Sequence, residues 1–222
     1  MRAFVADSTL VETECRERLK QIPASTRRRL SSYAKVIMTA ILELSERHPQ
    51  LKETPVVLAT RHGDLHRTEK LLRELVRGEV LSPTQFALSV NNAVLGQYSM
   101  AADNRQAMTT LSAGEQTYPL GWLEAVSQVQ SETRQVLLVY ADEVPPAVYS
   151  GQVHSPVRSF AHAVLLDRKN GQKLILDRLV EKESQLQEDV WLVANGVQQM
   201  LDSCSGKVVK DYNGVRWSWH VA

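Results

Sequence analysis

Residues 107–125, AMTTLSAGEQTYPLGWLEA, constrain the fold of this chain more than any other stretch. A β-prone run from Ala107 to Leu111 meets three small residues, Ser112, Ala113 and Gly114, and Glu115-Gln116 then opens a helical pattern. Tyr118, Trp122, Ala125, Val126 and Val129 recur at i, i+4, i+7, i+8 and i+11, the spacing of one buried helix face. Strand, tight turn and helix N-terminus in succession describe a nucleophile elbow. The turn thrusts one side chain into a cavity, while backbone N–H groups and the helix dipole hold negative charge beside it. Such a turn presents Ser or Cys. Here the position is Gln116, a neutral amide with neither a nucleophile nor a titratable proton.

Two other runs supply a sheet for the elbow to join. Thr54–Thr60 (TPVVLAT) and Gln135–Ala141 (QVLLVYA) are continuously apolar, as expected of parallel strands buried on both faces. Between and around them the spacing predicts helices. One is capped at Ser25 or Thr26 and runs to His48-Pro49, with Leu30, Tyr33, Ala34, Ile37, Met38, Ile41 and Leu44 on its apolar face. Its first turn would hold Arg27-Arg28-Arg29, the unfavourable sign for a helix N-terminus, as a solvated turn or as an interface or phosphate contact. After the loop Arg61–Asp64 a second helix covers Leu65–Val76 and ends before Gly78. A third starts at Ser82-Pro83 and runs through Val94 to Gly96, carrying Asn91-Asn92 on a face that also holds Phe86, Ala87, Val90 and Val94. Buried there, the two amides would bond the backbone of a neighbouring loop.

At the N-terminus Phe4-Val5 reads as a short strand and Val11–Leu19 as a short helix. Residues 144–158, with three prolines and a glycine, read as loop. Ser159–Asp167 and Gln172–Val180 read as an antiparallel pair joined at Asn170-Gly171, Glu188–Leu201 as a helix, and Val208–Val221 as a final strand or hairpin around Asn213-Gly214. No repeat, low-complexity tract or linker interrupts the pattern, so residues 1–222 are expected to form one α/β domain.

Composition removes several function classes. A net charge of +1 gives no electrostatic case for nucleic acid or an anionic membrane as the main partner. No apolar run approaches the roughly 20 residues of a membrane span, and the N-terminus lacks the pattern of a signal peptide, so the cytoplasm is the expected compartment. Only Cys15 and Cys204 occur, without a CxxC pair, which argues against zinc and against a disulfide framework. His62 and His66 stand four apart without an evident third ligand, so no metal is expected.

Five pieces stand in a telling order: IPASTRRRLSSYAKVIMTA, TRHGDLHRTEKLLRELVRGEV, LSPTQFALSVNNAVLGQYSM, TTLSAGEQTYPLGWLEA and VLLVYADE. Together, over roughly Pro23–Asp167, they resemble the N-terminal half of the β-ketoacyl synthases, members of the thiolase-like fold. They look like that family's arginine-containing first helix, strand and glycine loop, SP…N…AGQ helix, nucleophile elbow and strand ending in a GGxE-type turn. The resemblance implies a mixed sheet covered by helices.

Two departures bear on function. Condensing members carry Cys where this chain has Gln116, and the triplet Gly114-Glu115-Gln116 resembles the elbow of chain-length factors, the inactive partners of ketosynthases. The family's catalytic histidine pair lies in a C-terminal half that has no counterpart in these 222 residues, so His48, His62, His66, His154, His162 and His220 match no catalytic position. Condensation needs a thiolate to carry the acyl chain and histidines to assist decarboxylation. The resemblance therefore implies a subunit that is no enzyme by itself and uses no cofactor. Its partners would be a ketosynthase in a heterodimer and an acyl carrier protein, with half-size members of aryl polyene systems as the nearest kind. The strand before the elbow, with Thr109 and Thr110, would pair across the dimer, and Phe86, Val90, Asn92, Tyr98 and Met100 are the tunnel or interface candidates. Two rival readings are a malonyl-carrier-protein decarboxylase with a Gln elbow, and a stand-alone binding module.

Overall fold

A computed structural model describes residues 1–131, 133–153, 156–180, 189–212 and 214–222. In chain order the elements are β1 (Arg2–Val11), α1 (Arg16–Leu19), α2 (Ala24–Arg27), α3 (Ser32–Arg47), β2 (Val56–Ala59), α4 (Leu65–Val76), α5 (Pro83–Ala87) and α6 (Ala93–Ala102). There follow β3 (Met108–Leu111), α7 (Thr117–Ser131), β4 (Gln135–Asp142), β5 (Phe160–Asp167), β6 (Gln172–Val180), α8 (Val190–Asp202), β7 (Lys207–Tyr212) and β8 (Val215–Val221). All eight strands join one mixed sheet in the order β3-β2-β4-β5-β1-β6-β8-β7. The strands β3, β2 and β4 are parallel, and every other neighbouring pair is antiparallel.

The continuously apolar runs lie where a sheet is covered on both sides. Along β2 and β4 the side chains alternate between two cores. Val57, Ala59, Val136, Leu138 and Tyr140 face α7 and α8, whereas Val56, Leu58, Leu137, Val139 and Ala141 face α3 and α6. The predicted face of α7 is buried at all five positions, and the helix lies very close to the sheet. A Cβ at Gly121 would stand 2.6 Å from the Ala59 Cβ, so only glycine permits that approach.

Several expectations give way to longer-range forces. The expected 159–180 hairpin does not form, because β1 runs between β5 and β6 and pairs with both. The turn at Gly171 (φ +120°) passes beneath this inserted strand, where a Cβ would meet the Val5 carbonyl oxygen at 2.2 Å. In place of the short Phe4-Val5 strand, β1 spans ten residues. Its polar Asp7-Ser8 sits at a register shift, and Asp7 reaches out to Arg47 (2.7 Å) and His48 (2.8 Å). The expected 11–19 helix shrinks accordingly to α1.

The long helix is capped by Ser31, whose hydroxyl accepts from the Ala34 N–H (3.1 Å), rather than by Ser25 or Thr26. Arg27 therefore closes the last turn of α2, where a cation is favourable, and Arg28 and Arg29 precede α3. The expected 83–94 helix is two helices, α5 and α6, with turns between them, and α6 continues through Gly96 to Ala102. The helix α4 has the expected bounds, capped by Asp64. The C-terminal hairpin of β7 and β8 forms as expected, although Asn213 at its turn and Glu188 ahead of α8 lie outside the described residues.

The two edges of the sheet differ in chemistry. The strand β3 (MTTL) carries no charge, while β7 (KVVKDY) carries Lys207, Lys210 and Asp211. Charged side chains on an edge discourage pairing with another chain.

Candidate functional site

Because β2, β3 and β4 are parallel, their carboxyl ends open on one rim, the place where open α/β sheets bind ligands. That rim collects Thr60–Asp64 after β2, Ser112–Gln116 after β3, and Asp142-Glu143 at the end of β4. The elbow is a strand, a turn of small residues, one turn of 3₁₀-helix over Gly114–Gln116 and then α7.

Hydrogen bonds fix this turn from three sides. The Ser112 hydroxyl donates to the Thr60 carbonyl (2.5 Å) and accepts from the Asn91 amide (3.1 Å). Asn91 thus bonds a neighbouring loop, as expected, but through that loop's side chain. The Thr117 hydroxyl accepts from the Ala113 N–H (2.9 Å) and donates to the Gly114 carbonyl (2.6 Å). The Gln116 N–H donates to the Ala113 carbonyl (3.2 Å). Two of the turn's N–H groups are thereby occupied by the chain itself and are not free to hold an anion. Glu115 adds a carboxylate at the helix N-terminus, 3.9 Å from Arg61. The Gln116 side chain points to the C-terminal hairpin, its Oε1 accepting from the indole N–H of Trp217 (3.2 Å).

Beside the elbow lies a second cluster that periodicity does not reveal. Asp142 is buried, and its Oδ1 accepts from the Arg61 N–H (2.9 Å) and the Thr60 hydroxyl (3.3 Å), while Oδ2 accepts from the Tyr140 hydroxyl. Burial outweighs these bonds and pushes its carboxyl up to about 6. Burial likewise raises the Glu143 carboxyl, against the His66 N–H that donates to it (3.2 Å) at the start of α4. Ser32, Tyr33, Val36, Asp142, Glu143, Ser159 and Phe160 line a cavity of about 40 Å³ there, room for a water or two. The Tyr33 hydroxyl is buried beside it, and burial raises its pKa. The sequence signal was present as Asp142-Glu143 following an apolar strand, but only the fold brings Tyr33 and Ser159 to them.

The remaining candidates separate into three groups. Phe86 (62% exposed), Val90 (52%) and Met100 (71%) are apolar and open to solvent, and Asn92 is exposed at the start of α6. Tyr98 is buried, with its hydroxyl donating to the Leu51 carbonyl (3.3 Å), and belongs to the core of this chain. Thr109 and Thr110 lie half-buried on the edge strand, where Thr109 accepts from the Gln128 amide (3.3 Å). Among the described residues no group of three His, Cys, Asp or Glu could hold a metal. His66 Nε2 bonds instead to the Val144 carbonyl (2.9 Å), and burial and Arg61 hold His62 below the usual histidine range. Nor is any described helix long and apolar enough to cross a membrane.

A parallel core of β3, β2 and β4, antiparallel β5, and an elbow leading into a helix laid against the sheet define a thiolase-like α/β fold of the ketosynthase type. Residues 5–220 match the model of the β-ketoacyl synthase N-terminal domain, and the chain belongs to that family. Among solved structures it is similar to a chain from the ketosynthase (ApeO) in complex with its chain length factor (ApeC) from Xenorhabdus doucetiae. The TM-score is 0.81 at 24% identity, covering 99% of each chain. The ishigamide ketosynthase/chain length factor matches at TM-score 0.63 and 12% identity, over 82% of this chain and 68% of that one. AntDE:AntF, a type II polyketide acyl-carrier protein in complex with its hexaketide-bound ketosynthase, matches at 0.61 and 12%, over 82% and 70%. A search of curated proteins found no match.

Proposed function

We propose that this chain is a non-catalytic, chain-length-factor-like subunit that pairs with a ketosynthase and helps shape the acyl tunnel as a polyene, polyketide or fatty-acid-like chain grows on a carrier protein. The observation that carries the reading is the elbow. An amide stands where condensing members have Cys, and its carbonyl is bonded to Trp217. The occupied N–H groups of the turn and the Glu115 carboxylate weigh against anion stabilisation there, and so against a malonyl decarboxylase.

Pairing is supported by the unequal edges of the sheet. The uncharged β3 has the chemistry of a strand that accepts another, and β7 does not. Phe86, Val90 and Met100 offer exposed apolar surface for a partner. Arg28 and Arg29, exposed and in no ion pair among the described residues, suit a phosphate or carboxylate on the carrier.

Co-expression with a ketosynthase and carrier protein from the same gene neighbourhood tests the proposal. The expected result is a 1:1 complex on size exclusion whose products differ in length from those of the ketosynthase alone. A concentration-independent monomer that leaves the products unchanged overturns it.

A further inference from the structure

The chain has four tryptophans, at positions 122, 191, 217 and 219. Among the described residues the Nε1 groups of Trp191 and Trp219 are buried without a hydrogen-bond partner, whereas that of Trp217 donates to Gln116 Oε1 at 3.2 Å. The Trp217 ring is 1% exposed at the centre of β8, between Arg178 of β6 and Lys210 of β7, with the Arg178 guanidinium 5.8 Å above it. Gln116 sits at the other end of a 101-residue separation, in the turn that starts α7.

From this we infer that Gln116 is a positioning residue: its side-chain carbonyl anchors the indole of Trp217 and thereby fastens the β6-β8-β7 extension of the sheet to the elbow. The acceptor must be rigid and aimed, and the elbow provides both. The 3₁₀ turn, closed by Thr117 on one side and by Ser112 on the other, fixes the Gln116 backbone, while the buried ring of Trp217 has no freedom to seek another acceptor. A serine or cysteine at position 116 is too short to keep the bond. The replacement that removes a nucleophile therefore supplies a joint between two distant parts of the sheet. This role does not rest on the proposed partner and can be tested whether or not one is found.

The test is hydrogen exchange, read by mass spectrometry on the full chain, of residues 215–221 relative to β2 and β4. Gln116→Ala and Gln116→Leu remove the acceptor, and exchange in β8 should rise about five- to tenfold, the scale of one lost neutral hydrogen bond. Gln116→Glu keeps an acceptor of the same reach and should restore protection, whereas Gln116→Leu, which keeps most of the bulk and lacks the acceptor, should not. In a Trp217→Phe background, Gln116→Ala should add nothing further. Should Trp217→Phe fail to fold, the Gln116→Leu and Gln116→Glu pair still decides, since both leave Trp217 in place. The inference is overturned if Gln116→Leu leaves β8 as protected as the parent, if Gln116→Glu behaves like Gln116→Leu, or if Gln116→Ala acts equally with and without Trp217.

Discussion

Replacing Asp142 by Asn should stabilise the protein above about pH 6 and do little below about pH 4. The carboxyl is pushed from 3.8 to about 6 by burial, so the native state holds its proton more tightly than the unfolded chain does. Stability from this group is complete below about pH 4 and is lost as pH rises through about 6. The full difference corresponds to about 3 kcal/mol, near 6–12 °C in Tm for a chain of this size. Asparagine preserves the geometry. Its carbonyl can accept from the Arg61 N–H and the Thr60 hydroxyl, and its NH₂ can donate to the Tyr140 oxygen, which now bonds Oδ2. Urea unfolding of parent and Asp142→Asn at half-unit steps from pH 4 to 8 gives the difference directly. Carboxylates with the opposite dependence, such as Asp7 and Asp167, cancel in that difference. A difference that grows by about 2–3 kcal/mol over that range supports the account. Two parallel curves would refute it, since a carboxylate ionised without penalty has no such linkage.

Three further outcomes follow from particular contacts. Gly121→Ala forces a Cβ to 2.6 Å from the Ala59 Cβ and should destabilise by about 1–3 kcal/mol in chemical denaturation. Phe86→Ala, at a side chain open to solvent, should leave Tm within about 2 °C because exposed substitutions change stability by about 0.5 kcal/mol or less. It should also lengthen the carrier-bound products seen by mass spectrometry in the reconstituted complex. Thr110→Lys places a charge on the β3 edge and should abolish the 1:1 peak on size exclusion while the lone chain keeps its circular dichroism.

How far the fold is legible in the sequence depends on the range of the forces involved. The α7 face, the apolar strands β2 and β4 and the span of α4 follow from spacing within a dozen residues, and each forms where spacing places it. The expected pairing of β5 with β6 gives way to β1, which comes from the far N-terminus and looks weak there, with Asp7 and Ser8 in its middle. Pairing with two neighbours at once outweighs that local weakness. The helix expected over 83–94 satisfied periodicity and yet broke, because α5 ends in turns through Leu88–Asn92 that leave Phe86 and Val90 in solvent. At the site, the elbow and its amide were legible. The bond from Gln116 to Trp217 and the meeting of Tyr33 with Asp142 and Glu143 were not, since nothing in local spacing reports a contact across the whole chain.

The unequal edges of the sheet also limit how large an assembly can become. A sheet able to pair at both ends adds chains without stopping, and head-to-tail contacts that never close give fibres. With Lys207, Lys210 and Asp211 along β7 and only Met108, Thr109, Thr110 and Leu111 along β3, the proposed pairing gives this sheet a valence of one. Under the proposed pairing, covering β3 leaves only the charged β7 edge, and growth stops at two subunits. On that proposal the neutral strand is safe only while its partner is abundant, which ties the useful concentration of this chain to the supply of whatever caps it.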